Sequence, residues 1–504
     1  MKIAFRTDAS TQIGTGHFMR CLTLANELKK QGYYVRFLSR NLPTYLIDML
    51  TKKGMEYFPL CEDDVESQHD ELTHASWLGV SQAKDAEASI DGLSDQLWDW
   101  IVVDHYALDA RWESMVRPSV KKVMVIDDLA DRNHDCDILL DQNYYDDFQT
   151  RYNGKVPKDC RLLLGPSYAL LREEFRTLRE KVEVRSGAPK KVFVFFGGVD
   201  ADNLTSQAIE ALSRMNINIQ VDVVIGAQHP SREIIENVCT KYGYTCHLQT
   251  SSMAKLMSES DIAIGAGGTA LWERCCLGLP TISLCLAENQ RKQINDAAMA
   301  GVLLAPSIKE DVSSSILLQA KSLIQNPSLI QLISYSAMKL VDGKGVFRIA
   351  NSMSYSSIQM KVATQDDARS LFEWRNHPNI RKVSKNSYPI LWEDHKRWFD
   401  EVLADKNRHL LIGSINKAQF GVVRFDVSND TAEVSIYLVP ESEHKGQGQN
   451  LLLASEVWLT KNHPEIKKIN AIVLSENEAS KRLFSGANYG VSMISYQKDL
   501  RGSK

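Results

Sequence analysis

Apolar residues in the first two thirds of this chain alternate between short continuous runs and helical spacing. Ile3-Ala4-Phe5 is such a run and fits a strand buried on both faces. Residues 17–30 then carry Met19, Leu22, Ala25 and Leu28 at helical spacing, and Gly32 stands where a C-cap is expected. Further strands are predicted at 34–38, 100–103 and 123–126. A second series begins after Gly154-Lys155-Val156-Pro157, with strands at 192–196, 221–225, 261–264 and 281–284 and a helix over 202–214. Alternation of this kind predicts parallel sheets covered by helices, with ligands at the carboxyl ends of the strands. The class is α/β, with two Rossmann-like halves facing a cleft.

The pattern changes after Asp342-Gly343-Lys344-Gly345, and the polar, small-residue stretch Asn351-Ser-Met-Ser-Tyr-Ser-Ser357 reads as a linker. Beyond it come a strand at 358–362, a helix at 366–374 and strands near 409–414, 418–426 and 431–439. A helix at 448–462, a strand at 468–474 and a helix at 477–485 follow, making a mixed α+β unit. The expected boundaries are 1–157 and 158–345 for the two α/β halves, 346–357 for the linker and 358–504 for the last domain.

The length of 504 residues agrees with about three units of roughly 150 residues. A formal net charge of −4 supplies no global positive field for nucleic acid or an anionic membrane, so a phosphate-bearing ligand needs a local site. The nine cysteines lie between Cys21 and Cys285 with no C-x-x-C pair, which suits reduced thiols better than a disulfide framework or a zinc cage. No ligand cluster with metal spacing is visible, so no metal is expected. The chain enters a strand pattern at once and holds no run of eighteen apolar residues. A cytoplasmic protein with no membrane or nucleic-acid partner is the expectation.

Candidate chemistry begins at Gly14-Thr15-Gly16-His17-Phe18-Met19-Arg20, between the first strand and its helix. Glycines there let the backbone approach a ligand, and a helix N-terminus favours anions. His17 would stand at the strand's carboxyl end, where a neutral imidazole can accept a proton from water. A helix-capping His in a tight turn explains the local sequence as well. Two more loops follow strands and open helices: Phe196-Gly197-Gly198-Val199-Asp200, suited to a pyrophosphate, and Gly265-Ala266-Gly267-Gly268-Thr269, with Glu273 one turn on, where it could accept both ribose hydroxyls.

In combination these segments resemble a known family. Phe5-Arg6-Thr7-Asp8, Gly14-Thr15-Gly16-His17 with Arg20, Asp104-His105-Tyr106 and Tyr168-Ala169-Leu170-Leu171-Arg172-Glu173-Glu174-Phe175 are similar to the UDP-sugar hydrolases of pseudaminic acid biosynthesis. Gly197-Gly198 with Asp200, and Glu273 with Asn289-Gln290, extend the similarity over about residues 1–345. The resemblance implies the B-type glycosyltransferase fold and release of UDP from 2,4-diacetamido-2,4,6-trideoxy-β-L-altropyranose, with His17 as base for the attacking water. It further implies a UDP-linked amino sugar held by Asp8, Gly14, Gly16, Arg20, Tyr106, Gly198, Gly268, Glu273, Asn289 and Gln290.

The last domain carries Lys445-Gly446-Gln447-Gly448-Gln449-Asn450 after the strand ending at Leu438-Val439, then Asn477, Ser480 and Phe484 past the next strand. Successive N–H groups in a Gly-rich turn opening a helix make a pyrophosphate cradle. The layout resembles the GNAT acetyltransferases, whose signature is Arg/Gln-x-x-Gly-x-Gly/Ala, although Lys445 and Asn450 depart from it. With Trp374-Arg375-Asn376-His377-Pro378 it is more closely similar to the N-acetyltransferases of the pseudaminic acid pathway. That resemblance implies acetyl-CoA bound by Leu438, Val439, Lys445, Gly446, Gln447, Gly448, Gln449, Asn477 and Ser480, with Arg375 and His377 on the acceptor side. The acceptor would be the 4-amino group of a UDP-linked 4-amino-4,6-dideoxy-altrosamine, and the product the substrate of the hydrolase. Many such enzymes place an acidic Tyr where this chain has Phe484, which leaves Tyr489 as a substitute candidate. A thiol pKa near ~8.5 makes CoA thiolate a tolerable leaving group without help. The rivals are a UDP-sugar glycosyltransferase, since the fold is shared, and a CoA-sensing or protein-binding module at the C-terminal end.

Overall fold

The computed structural model describes residues 1–492 apart from 11, 61–69, 216, 228, 286–287, 307–310, 356–357, 385, 416, 441, 443–446, 475 and 488, and apart from the side chains of Glu288, Asn289 and Tyr355. The chain divides into two compact units, Met1–Ala350 and Asn351–Lys504.

The first unit opens with β1 (Lys2–Thr7), β2 (Tyr34–Ser39), β3 (Glu56–Pro59), β4 (Trp98–Asp104), β5 (Val120–Ile126), β6 (Ile138–Asp141) and β7 (Arg161–Leu164). They form one sheet in the order β3-β2-β1-β4-β5-β6-β7, and each neighbouring pair is parallel. The apolar runs of β1 and β4 are buried because helices cover both faces of such a sheet. The strand order reverses between β1 and β4, where Thr7 lies opposite Asp104. A crevice therefore opens at their carboxyl ends.

The second half adds β8 (Lys191–Phe195), β9 (Gln220–Ile225), β10 (Thr245–Leu248), β11 (Ile262–Ala266) and β12 (Thr281–Leu284). This parallel sheet runs β10-β9-β8-β11-β12, with its own reversal between β8 and β11. Val192, Val194, Ile264 and Ile282 form its core with residues of the helices Leu204–Ser213 and Val312–Gln325.

Two sequence boundaries need correction. Residue 157 does not divide the halves, because β7 pairs with β6 and belongs to the first sheet. The stretch read as a linker at 346–357 is mostly the helix Gly345–Tyr355, in which Val346, Ile349, Ala350 and Met353 make a buried stripe. Its i, i+3, i+4, i+7 spacing was present in the sequence but masked by small polar neighbours, of which Ser352 and Ser354 are themselves buried.

The second unit holds β13 (Gln359–Val362), β14 (Arg408–Ile415), β15 (Ala418–Ser428), β16 (Thr431–Leu438) and β17 (Lys468–Ala471) in that order across one sheet. All pairs are antiparallel except β16–β17, which is parallel and spans only Thr431–Val434 on β16. Ser435–Leu438 keep β15 as partner on one side and have no strand on the other among the described residues. The helix Gly448–Asn462 lies so close to this sheet that a Cβ on Gly421 would stand 2.2 Å from Leu451.

A comparable contact shapes the second half of the first unit. A Cβ on Gly226, just past β9, would stand 1.9 Å from the Gly198 carbonyl oxygen. Backbone lines both sides, so no rotamer relieves the clash. Gly226→Ala is expected to cost ~1–3 kcal/mol, read as a lower denaturant midpoint. Gly198→Ala, whose Cβ meets nothing within 4 Å, should leave the midpoint in place.

Candidate functional site

The crevice of the first unit contains a cavity of about 190 Å³. Gly16, His17, Arg20, Tyr106, Asp128 and Asn143 line it from the first half, and Gly268, Thr269, Gln290 and Gln293 from the second. His17 and Arg20 lie on the first turns of the helix Gly16–Lys30, and Asp104 ends the neighbouring strand β4. His17 Nδ1 is 2.6 Å from Asp104 Oδ1. Arg20 donates to both Asp104 oxygens at 2.6 and 2.7 Å and to Asp128 Oδ2 at 3.1 Å. Burial pushes the Asp104 carboxyl up, but the Arg20 guanidinium and His17 more than reverse this and hold it well below the usual carboxylate range. Asp104 is thus a carboxylate at any working pH, and it holds the imidazole through Nδ1, while Nε2 has no hydrogen bond among the described residues.

Asp128 accepts from the Tyr106 hydroxyl at 2.5 Å and from Asn143 Nδ2 at 3.1 Å. Asn143 Oδ1 in turn accepts from Trp272 Nε1 and Gln293 Nε2 of the second half at 2.9 and 3.1 Å. A continuous hydrogen-bond chain therefore crosses the cleft from the second half to the His17 group. The Tyr106 ring stands edge-on to His17 at 4.5 Å and stacks on Trp77 at 5.6 Å, giving the site an apolar wall.

The sequence-predicted residues fall into distinct groups. Gly16, His17, Arg20, Tyr106, Gly268 and Gln290 come together at the cavity. Neither the helix Gly16–Lys30 nor the helix Thr269–Cys276 has a side-chain cap, so both leave N–H groups open where Gly16 and Thr269 line the cavity. The Gln290 Oε1 is buried without a hydrogen-bond partner. Glu273 is buried one turn further on, where its Oε1 accepts from Arg172 at 3.1 Å. Gly14 closes the preceding turn, its N–H donating to the Ser10 carbonyl, at φ 77°. The side chain of Asn289 lies outside the described residues.

Asp8 and the Gly197–Asp200 loop are placed differently from expectation. The Asp8 carboxylate is buried, accepting from Arg6 at 2.5 Å and from the Arg40 backbone N–H at 2.8 Å, and it is no part of the cavity lining. Its charge is consumed in a network in which Arg6 also bonds Asp85. Gly198 also lies outside the cavity lining, and the helix that follows it is held by Asp200, which accepts from the Leu204 and Thr205 N–H groups. Asp104, Asp128 and Asn143 were missed as site residues, although an Asp ending a buried strand beside the His-bearing loop was a signal for the first.

In the second unit, a cavity of about 750 Å³ opens where β16 outruns β17. Ser435, Ile436, Tyr437, Leu438, Gly448, Asn477, Ser480 and Phe484 are among its lining residues. Gln447 stands at the N-cap of the helix Gly448–Asn462 without a side-chain cap, so that N-terminus too is open. Asn477 caps the helix Glu478–Gly486 by accepting from the Ser480 N–H. Gln449 donates to the Gly486 carbonyl, and the Val439 N–H to the Phe420 carbonyl. Lys445 and Gly446 lie outside the described residues.

The motif Trp374–Pro378 separates residue by residue. Arg375 lines the cavity and its Nη1 is buried without a partner, whereas His377 caps the helix Pro378–Lys382 through its Nδ1 and is absent from the lining. Asn376 clamps Ile390 by accepting from its N–H and donating to its carbonyl. Tyr489 does not replace the missing acid: its hydroxyl donates to Glu456 at 2.7 Å, and it lies outside the cavity lining. Tyr437 lines the cavity, and burial pushes its hydroxyl well above the usual range, so it keeps its proton.

Burial first, and then the Asp128 charge, push the Asp141 carboxyl up to about 8. An unfolded Asp titrates near ~3.9, so the folded chain holds a proton that the unfolded chain has lost between those values. Stability from this group is present below the lower value and is lost as pH rises towards the upper, by up to ~1.4 kcal/mol per pH unit. Asp141→Asn should therefore raise Tm, and the gain over wild type should widen from pH 5 to pH 8. A gain independent of pH would mean that the carboxyl is ionised throughout.

Residues 191–321 match the model of the glycosyltransferase family 28 C-terminal domain, and residues 358–487 that of the acetyltransferase (GNAT) domain. An uncharacterised protein of Methanocaldococcus jannaschii is 24% identical over 524 aligned residues, covering 97% of this chain and 96% of that protein. A UDP-2,4-diacetamido-2,4,6-trideoxy-β-L-altropyranose hydrolase of Campylobacter jejuni is 28% identical over 305 residues, 60% of this chain and 97% of the relative. The acetyltransferase PseH of Campylobacter jejuni is 27% identical over 125 residues, 24% of this chain and 75% of the relative. Among solved structures, Acinetobacter baumannii MurG is similar with a TM-score of 0.50 at 14% identity, over 70% of this chain and 99% of that one. The fold is that of a B-type glycosyltransferase in two Rossmann-like halves, followed by a GNAT domain.

Proposed function

We propose that this chain is a bifunctional enzyme of pseudaminic acid biosynthesis. Its GNAT domain moves acetyl from acetyl-CoA to the 4-amino group of UDP-4-amino-4,6-dideoxy-N-acetyl-β-L-altrosamine. Its first unit then releases UDP from the diacetamido product by attack of water. The observation that carries this reading is the His17–Asp104 pair, which lines a cavity together with two helix N-termini that have no side-chain cap. One relative is named as a UDP-sugar hydrolase and covers 60% of the chain, and another, covering 24% of it, is an acetyltransferase.

In the hydrolase, His17 Nε2 takes a proton from water as its oxygen attacks the anomeric carbon. Asp104, held ionised by Arg20, fixes the tautomer and meets the charge of the imidazolium. The departing diphosphate is received by the N–H groups at Gly16 and Thr269. Gly14, Gln290 and Glu273 belong to the same UDP-sugar site, with Gly198 and Asn289 as further contacts and Asp8 as a structural support. In the transferase, Leu438, Val439 and the turn from Lys445 to Gln449 hold acetyl-CoA with Asn477 and Ser480. Arg375 receives the nucleotide sugar's phosphates, and Tyr437 gives the departing thiolate its proton. A cytoplasmic location suits both co-substrates and the eight described cysteines, none of which is in a disulfide. No helix among the described residues is long and apolar enough to cross a membrane.

Mass spectrometry of the protein given the amino-sugar nucleotide and acetyl-CoA should show free diacetamido sugar and UDP. His17→Ala and Asp104→Asn should lower the hydrolytic kcat by ~10²–10⁴-fold and let the acetylated UDP-sugar accumulate. Tyr437→Phe should slow acetylation by ~10-fold or more while leaving hydrolysis of the acetylated nucleotide intact. Sugar transfer to an added acceptor, with little release to water, would favour the glycosyltransferase reading instead.

A further inference from the structure

The second half of the first unit buries a cation that the reaction above leaves without a task. Arg274, in the helix Thr269–Cys276, is 0% exposed. Its Nη2 donates to the Ala266 carbonyl, while Nε and Nη1 have no hydrogen-bond partner among the described residues. No carboxylate among the described residues pairs with it: the adjacent Glu273 gives its Oε1 to Arg172. Burial draws the guanidinium down to about 10, which still leaves it charged at neutral pH. A buried charge with no partner is expensive, and a fold retains one only where something else meets it.

Its position says what that is. A Cβ on Gly265 would stand 2.6 Å from Arg274 Nη1 and 2.2 Å from the Phe195 carbonyl oxygen. Gly265 of β11 is the register partner of Phe195 of β8, and the strand order reverses between those two strands. Their carboxyl ends lead into Phe196-Gly197-Gly198 and Ala266-Gly267-Gly268. The guanidinium therefore lies beneath both glycine loops, at the point where α/β sheets hold their ligands. We propose that Arg274 is the fixed positive charge for the nucleotide diphosphate, a counter-charge that the folded chain alone lacks. This rests on the reading of the first unit as a UDP-sugar site and adds the residue that distinguishes UDP from uridine there.

The test is calorimetric titration of UDP and of uridine into full-length wild type, Arg274→Met and Arg274→Lys, with Tm recorded in the absence of ligand. Arg274→Met should weaken UDP by about tenfold or more and leave uridine unchanged. Its unliganded Tm should equal or exceed that of wild type, because an unpaired buried charge has been removed. Arg274→Lys should keep part of the preference for UDP. A lower Tm with an unchanged ratio of UDP to uridine affinity, or failure of both variants to fold, would make Arg274 a structural residue and overturn the proposal. If wild type binds UDP and Arg274→Met binds it as tightly, only the assignment of Arg274 falls. If wild type binds no UDP, the reading of the unit falls with it.

Discussion

The pairing of Asp104 with Arg20 and His17 is the interaction on which the first unit's chemistry depends. A carboxylate at the end of a fully buried strand would ordinarily take up a proton. Arg20 grips both of its oxygens and prevents this, and the imidazole is held by the same charge. Neither partner is near Asp104 in the sequence. The parallel register that sets Thr7 beside Asp104 brings the loop after β1 next to the end of β4. The reversal of strand order between those strands leaves the space above them open.

Helix N-termini beside the glycine-rich turns are either occupied by a side chain or left open. Asp200 fills the first turn of the helix Leu204–Ser213. At Gly16, Thr269 and Gly448, which line cavities, the first turn carries no side-chain cap. Open N–H groups at a cavity wall are poorly satisfied until an anion arrives. The second unit reaches the same result with a sheet, because β17 stops while β16 continues and a wedge of space opens between them.

The legible parts were those written in local pattern. The buried strands and their following glycine turns were placed within a few residues, because continuous apolar runs and Gly-rich turns report on neighbours in sequence. The short strands β3, β6, β7 and β10 went unread, and so did the helix at Gly345–Tyr355, whose apolar stripe is interrupted by serines. At the site, His17 and Arg20 were visible from their loop. The roles of Asp8 and His377 were not visible, since both are polar residues in motif positions whose side chains turned out to serve the scaffold, one in a buried ion network and one as a helix cap.

By itself the sequence determined the two α/β series, the α+β unit after them, the glycine turns and the presence of a histidine at a strand end. Each of these follows from propensity and periodicity over a few residues, so no distant partner was needed to infer them. Only the tertiary structure decided that Asp104 is the partner of His17, that the Asp200 loop is capped while the Gly268 loop is open, that Tyr437 and not Tyr489 lines the second unit's cavity, and that Arg274 is buried with no carboxylate paired with it among the described residues. Those facts concern groups far apart in the chain, whose distances are set by strand order and register. Electrostatic interaction depends on distance and burial, and neither can be read along a sequence.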